Sequence, residues 1–323
     1  MKRINVHAGA LDSMREANRQ QLEDYAKGGN LFEEKLQASG FPRIILRNYV
    51  TQAFSFRCSD LDQATREIFS HQPPSIWEPK LKKYWGYSYW RTRIDQYAQV
   101  DETIGMGADF TSAMVSLAEC LCAGWMTEAK LLTEEILVLY ENKRFYDVGG
   151  IFGQPLYHWL LRICFDHWGW EFSEWGNKND QGGRPAALGQ PVLNELVAHW
   201  RDSDLAPMQD HILWLCDYYT YRTKPADGYE FGNDWLLQRF PAAIMAWQRL
   251  RQERGLANPP IDHPLMQSDY ARLREPVPVY TDPLLEAVLE RLRREEMPDL
   301  GAVRRPVPPS KKPRLLARLF GRS

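Results

Sequence analysis

Apolar residues recur at helical spacing through most of this chain, and this periodicity limits the fold more than any other feature. In the segment 127–141, Leu132, Ile136, Leu139 and Tyr140 make one stripe, and Glu128, Glu134, Glu135 and Glu141 lie mostly off it. That pattern is one buried face of a helix. The same period marks 109–123, 152–172, 192–200, 206–221, 235–254 and 282–297. Earlier, a helix capped by Asp12 or Ser13 is expected to run to Lys27, with shorter helices over 31–38 and 61–70. The segment 43–58 reads as helix or strand. Strand signals are otherwise sparse, with no Asn-Gly turn and no alternating β-branched run. The expected fold is all-α, in stacked antiparallel helical hairpins with a flexible basic C-terminal tail. Gly124-Trp125-Met126 is the clearest hairpin connection.

The expected organisation is one helical domain over 1–300 and a tail over 301–323, rich in proline and basic residues. The polar, glycine-rich stretch from Gly176 to Gly189 makes 176–190 the natural subdomain hinge. No apolar core follows the basic residues Lys2 and Arg3, so no signal peptide is expected. No stretch has the roughly 18 apolar residues of a membrane span. The five cysteines are scattered and odd in number, which fits reduced thiols and a cytoplasmic location. Cys120 and Cys122 form only C-x-C, which by itself is no zinc motif. No metal and no cofactor is expected.

The net charge of −2 conceals an asymmetry. All seven charged residues after Asp299 are basic, so residues 1–299 hold 33 basic and 42 acidic side chains, a net of −9. An acidic body steers basic partners toward it and disfavours nucleic acid as the main ligand. The aromatic and basic segment 77–97, with Trp77, Tyr84, Trp85, Tyr87, Tyr89, Trp90 and Tyr97, has the composition of a base-stacking surface. The acidic body favours the other reading, an amphipathic element edged by cation–π pairs.

Catalytic motifs are missing. There is no G-x-x-x-x-G-K-[ST], no G-x-G-x-x-G, no G-x-S-x-G and no H-E-x-x-H. Asp166 and His167, beside Trp168 and Trp170, form the most site-like grouping around a histidine. With Glu171, Glu174 and Trp175 they are compatible with a helical glycoside-processing enzyme using paired carboxylates and aromatic platforms. The segment 202–234 is the better functional candidate. It holds Asp202, Asp204, Asp210, Asp217, Asp227, Glu230 and Asp234, with Tyr218, Tyr219, Tyr221 and Tyr229 among them. Carboxylates beside tyrosines suit a hot spot for a basic protein.

The segment 241–255, from Pro241 to Gly255, and the run from Asp262 to Met266 resemble the C-terminal part of helical immunity proteins. Such proteins are encoded beside toxins of the bacterial polymorphic and type VI secretion classes. The run from Phe152 to His158 and the Trp-rich helix after it have the same character, so the likeness covers roughly 60–266. The resemblance implies a cytoplasmic, non-catalytic protein. Its partner would be a cognate toxin, a nuclease effector among the candidates, blocked by tight protein–protein binding. No membrane partner is implied.

Overall fold

The structure is a computed structural model and describes residues 2–39, 44–101, 108–141, 144–145, 155–170, 189–222, 240–295 and 297–300. The tail over 301–323 and residues 176–188 of the expected hinge lie outside the described residues. Among the described residues the fold is all-α, as expected, and the one β contact is an isolated bridge between Ala108 and Phe145.

The chain begins with α1 (Lys2–Ala26), α2 (Leu31–Ser39) and α3 (Ile44–Ala53). A tight turn at Phe54–Arg57 leads into α4 (Cys58–Phe69) and the long α5 (Pro74–Asp101). Then come α6 (Phe110–Ala123), α7 (Met126–Glu141), α8 (Pro155–Trp168) and α9 (Pro191–His199). The last three are α10 (Gln209–Arg222), α11 (Ala242–Glu253) and α12 (Pro283–Glu295).

Several ends differ from the sequence expectation. Asp12 and Ser13 do not cap α1, which starts at Lys2 and runs through both. The Asp12 carboxylate lies 3.6 Å from Arg15 one turn on, so it pairs along the helix. The ambiguous segment 43–58 is helical throughout its described part. The helix expected over 235–254 begins, in its described part, at Ala242, with Pro241 as its cap residue.

The hairpin of α6 and α7 follows local rules closely. Asp109 caps α6, accepting from the Ser112 N–H at 3.3 Å and the Ser112 hydroxyl at 2.7 Å. Gly124, at φ 77°, ends it, and the Trp125 N–H reaches back to the Cys120 carbonyl at 2.8 Å. This left-handed stop lets the chain reverse without a Cβ penalty. α6 and α11 are buried around most of their circumference and form the centre of the larger apolar cluster with α8.

A second cluster joins α1, α2, α3 and α12. The two meet on α5: Tyr87, Ile94 and Tyr97 belong to the second, while Trp77, Leu81, Tyr84, Trp85 and Tyr89 belong to the first. α5 is therefore a wall buried on both sides. The rings of 77–97 pack on both sides of α5, and cation–π pairs accompany them, with Arg57 over Tyr84, Arg93 over Tyr89 and Arg293 over Trp90. Three of its cations are paired: Lys80 with Glu67 at 2.9 Å, Lys83 with Asp60 at 3.2 Å, and Arg93 with Glu135 at 3.0 Å.

The segment 256–282 is an irregular strap with tight turns at Pro264–Met266 and Asp269–Ala271. It lies against α5 and the end of α6. The Val277 N–H bonds the Ala123 carbonyl at 3.1 Å. A Cβ on Gly124 would meet Pro276 at 2.7 Å, and one on Gly86 would meet Tyr280 at 2.9 Å, so both glycines allow backbone contact that a larger residue would block. Arg249 donates to the Leu121 and Arg274 carbonyls and ties α11 to the strap. The strap ends at Asp282, which caps α12 through the Leu285 N–H at 2.8 Å and accepts from Tyr87 at 2.9 Å and Tyr280 at 2.8 Å.

Candidate functional site

α10 has one buried side and one outward side. Ile212, Leu215, Cys216 and Tyr219 are buried, and the Tyr219 hydroxyl donates to the Phe240 carbonyl at 2.6 Å. Asp210 and Asp217 are seven residues apart, two helical turns, and both are exposed on the outward side. Trp214 and Tyr218, four residues apart on that side, stack with ring centroids 4.9 Å apart at an interplanar angle of 20°. Both rings are half-buried and rest on the larger core cluster. A rigid aromatic pair thus sits on the core between two exposed carboxylates.

The remaining expected site residues divide into three groups. Asp202 and Asp204 lie in the turn that leads into α10, and both side chains have local work. Asp202 pairs with His199 at 2.8 Å, and Asp204 accepts from the Ala206 N–H at 2.8 Å, which starts the turn before α10. Tyr221 is on α10, but its side chain lies outside the described residues. Asp227, Tyr229, Glu230 and Asp234 lie outside the described residues altogether. So the structure brings Asp210, Asp217 and Tyr218 onto one face, ties Asp202 to His199 at the end of α9 and uses Asp204 to start the turn before α10.

Two neighbours were missed from sequence. A tryptophan at helical spacing usually belongs to the core, so Trp214 does not stand out in the sequence; its four-residue offset from Tyr218 is the available signal. His263, in the strap, lies 3.2 Å from Asp217 through Nε2. No local pattern joins residues 46 positions apart.

The Asp166–His167 grouping serves as a joint. Asp166 accepts from the Trp200 indole at 2.6 Å and pairs with Arg201 at 2.8 Å. Arg254 donates to the His167 carbonyl at 2.6 Å, at the C-terminal end of α8, where a cation is favourable. Arg201 and Arg254 both lie over the Trp200 ring, at 5.4 and 5.3 Å. Burial, with Arg254 and Arg201 nearby, pushes His167 down to about 4. Glu171, Glu174 and Trp175 lie outside the described residues. Burial raises the Glu135 carboxyl to about 8, and it is enclosed against Arg93.

Cys120 and Cys122 are buried thiols held in their protonated form by burial. Among the described residues no group of three or more His, Cys, Asp or Glu side chains could hold a metal ion. Nor, among them, is any helix long and apolar enough to cross a membrane. Comparison with protein-family models, with curated proteins and with solved structures finds no match.

Proposed function

We propose that this chain is an immunity protein, which binds a cognate bacterial toxin in the cytoplasm and blocks it without chemistry. One observation carries the reading: the stacked Trp214–Tyr218 pair, seated on the core and flanked by exposed Asp210 and Asp217. A rigid aromatic pair offers contact area with little rotamer entropy to lose, and neighbouring carboxylates favour a basic partner. The net −9 of residues 1–299 adds long-range attraction for such a partner. The five free cysteines suit a reducing compartment. A nuclease effector fits, because a protein that handles nucleic acid presents a basic face.

The test is co-expression with the toxin encoded beside this gene. The wild-type chain protects cells and co-purifies with the toxin. The double variant Asp210→Lys, Asp217→Lys keeps its helical circular dichroism and loses protection. Full protection by that variant places the interface elsewhere.

A further inference from the structure

We infer that the toxin contact continues from α10 across the strap into the groove between the strap and the turn joining α4 to α5, and that this groove takes an apolar, uncharged side chain of the toxin. The inference rests on the reading of α10 as the toxin-binding face. Its first support is area. A stable protein–protein contact takes roughly 20–30 residues from each side, whereas α10 has 14 residues and one of its sides is buried in the core. The contact therefore has to spread onto adjoining surface. The strap adjoins α10 directly, because His263 meets Asp217 at 3.2 Å. Four residues farther along the strap, Gln267 begins one wall of the groove.

The groove has about 560 Å³ of solvent space, ample for a large side chain. Gln267 and Tyr270 line it from the strap, Phe69, His71 and Gln72 from the end of α4 and the turn after it, and buried Trp77 from α5. The turn has a fixed shape: His71 stands at φ 54°, and the His71 and Gln72 N–H groups donate back to the Ile68 and Glu67 carbonyls at 3.0 and 2.9 Å. Asp269, the one carboxylate on the walls, is met by Arg272 at 3.5 Å, and no lysine or arginine lines them. The groove therefore selects neither an anion nor a cation. Three large apolar side chains are exposed among the described residues: Met14, Phe69 and Ile76. Two of them, Phe69 and Ile76, flank this turn with 45% and 44% exposure. Exposed apolar groups beside a neutral groove gain from an apolar partner that displaces their water. The carboxylates of α10 thus draw a basic protein in, and the groove holds it.

The test is hydroxyl-radical footprinting of the full chain, alone and bound to the toxin encoded beside its gene. Trp214 and Tyr218 on α10 and Phe69 and Tyr270 at the groove are expected to lose reactivity together. Phe69→Ser should raise the Kd about thirtyfold through faster dissociation. Its association rate and salt dependence should match the wild type, because an uncharged groove does no steering. Gln72→Trp, at an exposed position, should act in the same way by filling the groove. Both variants should keep the wild-type circular dichroism. Protection of Trp214 and Tyr218 without protection of Phe69 and Tyr270 overturns this inference and leaves the α10 reading standing. An affinity unchanged in both variants does the same. Protection of none of the four removes the α10 reading, and this inference falls with it.

Discussion

Arg93 and Glu135 face each other at 3.0 Å with 0% and 3% of their side chains exposed. They join α5 to α7 inside the fold. Burial raises the Glu135 carboxyl to about 8 from its ordinary 4.5, against the pull of Arg93. Because the folded value lies above the unfolded one, the folded state holds this proton more tightly. That stabilisation is complete below the unfolded value and is lost as pH rises through the folded one. Melting curves of wild type and Glu135→Gln should therefore diverge, with the wild type losing ground between pH 4.5 and 8. A constant gap across that window would show that Glu135 ionises normally. Arg93→Met, which strands the buried carboxylate, should destabilise the protein by about 3–5 kcal/mol at the alkaline end.

Gly86→Ala should reverse the usual sign of a helix substitution. Alanine in a helix interior is favoured over glycine by about 1 kcal/mol. Here the added Cβ meets Tyr280 at 2.9 Å, and the strap has to shift. The expected result is a net loss of about 1–3 kcal/mol in chemical denaturation. A gain would mean that the strap does not press on α5.

Arg291 links α12 to the first two helices. It donates to the Tyr25 carbonyl at 2.7 Å and the Gly29 carbonyl at 2.6 Å, and pairs with Glu33 at 3.0 Å and Glu295 at 2.8 Å. Arg291→Ala leaves buried acceptors unpaired, so it should speed hydrogen exchange in α1 and α12 more than in α6 and α11. Uniform acceleration across both clusters would contradict this.

On the proposed partner surface, Trp214→Ala and Tyr218→Ala should each weaken toxin binding by about 2 kcal/mol or more, mainly through faster dissociation. Asp210→Lys should act mainly on association and on its salt dependence, since exposed charges are screened beyond about 8 Å at physiological ionic strength. Salt-independent association would remove electrostatic steering from the proposal.

The sequence by itself determined the helices and much of the α6–α7 hairpin. Asp109, Gly124 and the apolar stripe of α7 act within a few residues of one another, so their effect can be read from local spacing. It also placed Asp210, Asp217 and Tyr218 in one acidic, tyrosine-bearing segment. The tertiary structure decided what the remaining groups do. The rings of 77–97 resembled a stacking surface in sequence, yet α5 carries an apolar cluster on each side, and periodicity cannot distinguish a helix buried twice from an irregular one. Asp202 and Asp204 looked equivalent to Asp210, but the first pairs with His199 and the second starts a turn. Asp217 meets His263, Glu135 meets Arg93 and Gly86 meets Tyr280 across 46, 42 and 194 residues of chain. Such contacts exist only after distant segments have packed, because burial and pairing depend on which surfaces meet in space, and local sequence does not record that.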